Sequence, residues 1–294
     1  MKDLRTDSDA TTMPSPTPYA DVNAVLHDFA VRIHMLLGSH FCGMYLYGSL
    51  ALGDFDPQHS DIDFLVVTDA ELADGLIVAL GDLHARFDQS LSSWAAKVEA
   101  AYIPQDALRH AAPTPARYPQ VEKGTSLFKG PLEEGWIFQC YTLREHGVRV
   151  AGPEPRTLID PIDPDAMRRA VPVIPSMWQE QARHDPSWLD WLRQRKNQAF
   201  VVLTLCRLLY TLDTAAVASK PSAAHWAQKV LGARWAGLIE RSLVGQHQQS
   251  QTPGSDVDDT LALIQLTLER VEQQHFPSQP PQSQRTPCEP RSSG

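Results

Sequence analysis

Cysteine is scarce, with Cys42, Cys140, Cys206 and Cys288 scattered over 294 residues and no two close together. That spacing excludes a Cys-x-x-Cys metal or redox pair and a disulfide-dense scaffold. The three cysteines in apolar surroundings read instead as buried free thiols. Long apolar runs are also missing: none approaches the roughly 18 residues that a membrane-spanning helix requires. The first twenty residues contain no apolar core of the signal-peptide kind, and Thr11 to Pro18 is polar and proline-rich, so a cytoplasmic protein with no membrane partner is expected. Basic residues are outnumbered, 26 Lys and Arg against 35 Asp and Glu, for a net charge of −9. This balance works against tight binding to nucleic-acid phosphates and suits a small cationic substrate. No internal repeat is present.

What the chain has is enough ordinary globular sequence, 43% hydrophobic and 21% charged, for two modest domains. Residues 1–19 read as a flexible arm. From Asp21, a candidate helix cap, Val22, Val25, Leu26, Phe29, Ile33, Leu36 and Leu37 recur at helical spacing up to Gly38. Gly43 to Tyr47 reads as a strand running into Gly48-Ser49, Leu50 to Leu52 as the start of a helix, and Asp61 to Thr68 as a central strand. Residues 70–90 are helix-like, and Lys97 to Ile103 is a third strand. This alternation predicts an α/β unit over 20–125, with Pro104, Pro113, Pro115, Pro119 and Pro131 marking a connection. Residues 126–276 are expected to be all helical, with helices over Trp136–Val148, Pro164–Val171, Asn197–Leu212, Ala223–Leu231, Trp235–Val244 and Asp256–Gln273. A Pro-, Ser- and Gln-rich tail from 277 to 294 is expected to be disordered. The fold class is therefore α+β.

The chemistry concentrates in one stretch: Gly48-Ser49, ten intervening residues, then Ser60-Asp61-Ile62-Asp63. On an extended strand Asp61 and Asp63 point the same way, roughly 6–7 Å apart at the backbone. Two carboxylates on one edge suit magnesium ions that also hold triphosphate oxygens. Gly48 permits close backbone approach to a phosphate, and Ser49 and the next amides can donate to it. Such a scheme needs a third carboxylate as proton acceptor or further metal ligand, and Glu99 in KVEAAYI is the best-placed candidate. Arg207 interrupts the apolar run VVLTLCRLLY, where a buried charge demands a partner or a cleft. His146, before Gly147, suits a helix C-terminus rather than catalysis. Trp178, Trp188 and Trp191, with Asp185 and Asp190, either line a cation-binding pocket or pack helices.

The segment YLYGSLALGDFDPQHSDIDFLVV resembles the nucleotidyltransferase signature, and LREHG at 143–147, VVLTLCRLLY at 201–210 and KPSAAHW at 220–226 extend the resemblance to the streptomycin/spectinomycin adenylyltransferases. It implies a polymerase-beta-like nucleotidyltransferase domain with a mixed sheet, joined to a helical domain, with ATP and magnesium bound in the cleft between them. It also implies metal ligation by Asp61 and Asp63, nucleotide contacts from Gly48, Ser49, Ser60, Arg207 and Lys220, and Glu99 as catalytic base. Trp178 and Asp190 are the candidates for acceptor contacts. The chain departs from the family's pattern at Asn197, ten positions before Arg207, where an acidic residue is usual, and at Leu243, which stands in place of a tyrosine. It also has a longer loop after Trp178. These departures bear on the acceptor rather than on the metal chemistry. A protein or RNA hydroxyl as acceptor, and a nucleotide-binding regulator without turnover, stay open at this level.

Overall fold

The computed structural model describes residues 15–88, 94, 97–111, 116–132 and 135–274. Its N-terminal part is built on a six-stranded mixed sheet in the order β5-β4-β3-β2-β1-β6. The strands are β1 (Phe41–Leu46), β2 (Ile62–Thr68), β3 (Val98–Pro104), β4 (Arg117–Val121), β5 (Phe128–Pro131) and β6 (Val148–Ala151). Only β2 and β3 among these pair in parallel. Helix α3 (Asp74–Asp88) makes the crossover between them that a parallel pair requires.

Alternation along the strands sorts their side chains onto two buried faces. Ile62, Phe64 and Val66 of β2 pack with Phe29 and Ile33 of α1 (Ala20–Leu37) and with Leu80 and Leu83 of α3. Leu65 and Val67 face the other way, towards Trp136, Cys140 and Leu143 of α5 (Trp136–His146) and Leu108 of α4 (Gln105–Arg109). A strand covered on both sides needs apolar residues at nearly every position, which is why IDFLVVT is so uniformly hydrophobic. The short helix α2 (Gly48–Leu52) leaves β1 directly and ends at Gly53, whose φ of 76° stops the turn.

The rest of the chain is helical: α6 (Pro164–Ala170), α7 (Val173–His184), α8 (Pro186–Leu192), α9 (Arg195–Thr214), α10 (Lys220–Leu231), α11 (Ala233–Gly245) and α12 (Gly254–Gln273). Val201, Val202, Leu205, Cys206 and Leu209 of α9 are buried against the others, so α9 is the central helix. Its polar start is buried too, because the Arg195 guanidinium reaches Asp256 Oδ2 at 2.8 Å and Arg241 meets the same carboxylate at 2.7 Å.

Several expectations need correction. The changeover at 125 lies too early, since β5 and β6 complete the sheet from beyond it. The proline-marked connection contains two of the strands: Pro119 is tolerated in β4 because β3 pairs only with Gln120 and Val121. Asp21 lies in the first turn of α1, and Tyr19 is the cap residue. The last residues of the expected arm are anchored, with the Tyr19 hydroxyl donating to the Phe55 carbonyl at 3.2 Å and Thr17 bonded to Asn23. The remainder of that arm, the tail and Cys288 lie outside the described residues. Cys140 and Cys206 are buried free thiols and Cys42 is half-buried.

Candidate active site

The parallel register of β2 and β3 sets Asp63 directly beside Glu99. Asp63 shares its strand face with Leu65 and Val67, and Glu99 shares its face with Ala101 and Ile103, so both carboxylates project towards α5. Asp61, just ahead of β2, falls on the same side. A cavity next to the pair is lined by Tyr47, Asp63, Glu99, Gln120, Trp136 and Gln139. The indole Nε1 of Trp136, a buried residue, has no hydrogen-bond partner there among the described residues.

Gly48 is required by this packing. Its φ is 61°, and a Cβ built on it would lie 2.0 Å from Asp63 Oδ2. The glycine thus makes room for the aspartate as well as for any ligand. Ser49 follows in the first turn of α2. Ser60 closes the intervening loop, its hydroxyl accepting from the Asp56 amide at 2.9 Å.

Burial, together with the charges of Glu99 and Asp61, pushes the Asp63 carboxyl up to about 8. Lys220 and Arg207 act in the opposite direction, so both cations of the helical half face this cluster. Arg207 is anchored by its Nε, which donates to the Ala218 carbonyl at 3.0 Å. Its guanidinium pKa is lowered by burial, against the pull of Asp63. Lys220 opens α10 after the Ser219 cap. Although its side chain is reachable from solvent, it sits in the mouth of the cleft. Desolvation there, with Arg207 nearby, lowers its ammonium pKa, against Asp63, Asp61 and Glu99.

The donor set suits a hard divalent cation, because three carboxylates crowd the starts of two adjacent strands and one of them is forced towards its neutral form in the absence of added positive charge. Among the described residues no three His, Cys, Asp or Glu side chains stand as a ready-made metal set. Asp61 is engaged elsewhere, its Oδ1 lying 2.6 Å from Lys123 Nζ.

Trp178 lies on α7, edge-on to Phe200 with ring centroids 6.1 Å apart, and Asp190 lies on α8. Trp178 is 6% exposed and packs in the helical core, where an indole gains most from burial. Asp190 lies on the open face of α8, paired with Arg193. The aromatic side chain beside Lys220 is Phe200, 45% exposed, with the ammonium 6.0 Å from its ring. Phe200 precedes Arg207 by seven residues, two helical turns on the same face, a spacing that could have revealed it. Lys123, Trp136 and His247 were also missed. His247 stacks on His59 with ring centroids 3.9 Å apart, joining the helical half to the loop ahead of Asp61. Single polar residues in loops and turns carry no periodic signal. Leu243 packs against the helical core.

A carboxylate pair on adjacent parallel strands, a Gly-Ser turn beneath it and two cations from a helical half opposite define a nucleotidyltransferase. Residues 43–122 match the model of the nucleotidyltransferase domain, and residues 157–265 match that of the aminoglycoside adenylyltransferase C-terminal domain. The chain is similar over most of its length to aminoglycoside (3'')(9) adenylyltransferases. It is 25% identical over 269 residues to an aminoglycoside (3'')(9) adenylyltransferase of Shigella flexneri, covering 86% of this chain and 97% of the relative. A spectinomycin 9-adenylyltransferase of Campylobacter jejuni is 23% identical, with 81% of this chain and 91% of that one covered. The fold is similar to the crystal structure of spectinomycin adenyltransferase AAD(9) from Enterococcus faecialis with ATP and spectinomycin, with a TM-score of 0.61 and 18% identity over 85% of this chain and 99% of that chain.

Proposed function

We propose that this protein is an ATP-dependent adenylyltransferase that modifies a hydroxyl of a small cationic aminoglycoside or aminocyclitol, and so confers antibiotic resistance. The observation that carries this reading is the placement of Asp63 beside Glu99 with Arg207 and Lys220 facing them from the helical half. Relatives matching nearly end to end carry the same activity in their names.

Asp61 and Asp63 would hold a divalent cation, magnesium being the best fit, and it would neutralise triphosphate oxygens and stabilise the entering and leaving oxygens. Gly48 and Ser49 receive phosphate at the start of α2, while Arg207 and Lys220 balance its charge from the opposite wall. The acceptor lies in the cavity over Glu99, where Trp136 Nε1, unpartnered among the described residues, offers it a donor. Glu99 takes the hydroxyl proton on a carboxylate oxygen as the acceptor oxygen bonds to the α-phosphorus. The bond from that phosphorus to pyrophosphate breaks, and AMP stays on the acceptor. Asn197 adds no negative charge; its Nδ2 donates to the Trp191 carbonyl at 2.9 Å. Spectinomycin is therefore a better acceptor than the more highly charged streptomycin.

Pyrophosphate release from ATP over a panel of aminocyclitols and aminoglycosides tests the reading. Spectinomycin should be turned over, and Glu99→Gln should lower kcat by about 10²–10⁴-fold with an unchanged circular dichroism spectrum. Turnover of none of the panel, or a fully active Glu99→Gln enzyme, rejects it.

A further inference from the structure

Lys123 is a cation bonded to the acidic cluster from within its own half. It is presented by a tight turn between β4 and β5. The Thr125 amide donates to the Glu122 carbonyl at 3.0 Å, the Glu122 amide donates to Thr125 Oγ1 at 3.2 Å, and Gly124 has φ 73°. Because β4 runs antiparallel to β3 with Val121 opposite Ala100, that turn lies over the strand ends that bear Asp63 and Glu99. Lys123 Nζ lies 2.6 Å from Asp61 Oδ1, on a carboxylate that the reading above assigns to the metal. The position is built into the fold, and the lysine side chain remains 48% exposed.

A second station, one that could receive an anion, lies close by. His247, stacked on His59, lies within electrostatic reach of His59, the Asp56 carboxylate, Lys220 and Lys123. A triphosphate or departing pyrophosphate would find its counter-charges there.

We propose that Lys123 is an exchangeable counter-ion of this site: its ammonium holds Asp61 in the metal-free protein, competes with the entering divalent cation for that carboxylate, and on displacement pairs with the phosphates released as pyrophosphate. The proposal rests on the metal-dependent reading, and its test separates the two. A cation on Asp61 is redundant once a metal arrives. The ammonium must then leave a carboxylate for a phosphate, an exchange of one ion pair for another in which no covalent bond changes.

The experiment titrates Mn²⁺ into the full-length, nucleotide-free protein, with free Mn²⁺ read by electron paramagnetic resonance, and titrates pyrophosphate calorimetrically in the presence of Mg²⁺. Lys123→Met keeps the side-chain length and should bind Mn²⁺ about two- to five-fold more tightly than wild type, the range for losing a half-exposed ion pair. It should bind pyrophosphate more weakly, and Lys123→Arg should restore both values. In an Asp61→Asn background, Lys123→Met should leave Mn²⁺ affinity unchanged. If Mn²⁺ binding is lost in Asp63→Asn but identical in wild type and Lys123→Met, the counter-ion role is wrong and the transferase reading stands. Mn²⁺ binding indifferent to Asp63 removes the metal site and this proposal with it.

Discussion

Gly48 shows how one residue can serve two demands, a left-handed turn out of β1 and open space against the Asp63 carboxylate. His84 illustrates the same local logic away from the site. It is 4% exposed and bonded through Nε2 to the Tyr102 hydroxyl at 2.7 Å, and burial pushes its imidazole down to about 4. The folded protein therefore holds this ring neutral at pH values where the unfolded chain protonates it. Its contribution to stability is complete above about pH 6.5 and is lost as the pH falls towards 4, a span worth about 3 kcal/mol. His84→Gln should flatten the acid limb of a plot of Tm against pH. Parallel curves for the mutant and wild type would show that His84 does not set that limb.

At the scale of elements, α9 links core and cleft. Its apolar residues centre the helical half, Arg207 turns to the carboxylates, and Arg195 enters a buried network with Asp256, Arg241 and Gln198. The hydrogen bond from Arg241, and then that from Arg195, holds the Asp256 carboxyl below its usual range. Its stabilisation is thus present above the ordinary carboxylate pKa and lost as pH drops through the lower folded value. Asp256→Asn leaves Arg195 buried without a counter-charge and should cost about 3–5 kcal/mol at pH 7. Calorimetry showing a loss below about 1 kcal/mol would mean that Arg241, half exposed, had carried little and that Arg195 had found water.

For the whole molecule, the proposed site lies where the two halves meet, with carboxylates from the sheet and Arg207 and Lys220 from the helices. Removing one cation should therefore damage binding without damaging either half. Lys220→Ala should reduce kcat/KM for ATP by about ten- to a hundred-fold, the range for a charge-assisted contact, with Tm nearly unchanged. A KM for ATP equal to that of wild type would place the phosphates elsewhere. No helix among the described residues is long and apolar enough to cross a membrane.

The amino-acid order alone determined the elements that carry strong periodicity, and it placed two aspartates on one side of a strand. Helix α1, strands β1, β2 and β3 and the long helices α9 and α12 all follow from spacing, because each buries a continuous face. Strands β4, β5 and β6 are four or five residues long and were not legible, since so short a run becomes a strand only when a neighbour supplies its hydrogen bonds. Tertiary structure alone decided that Glu99 lies opposite Asp63, that Phe200 stands beside Lys220, and that Lys123 rests on Asp61. Each depends on register or on contacts between residues far apart in the chain, which local propensity does not encode.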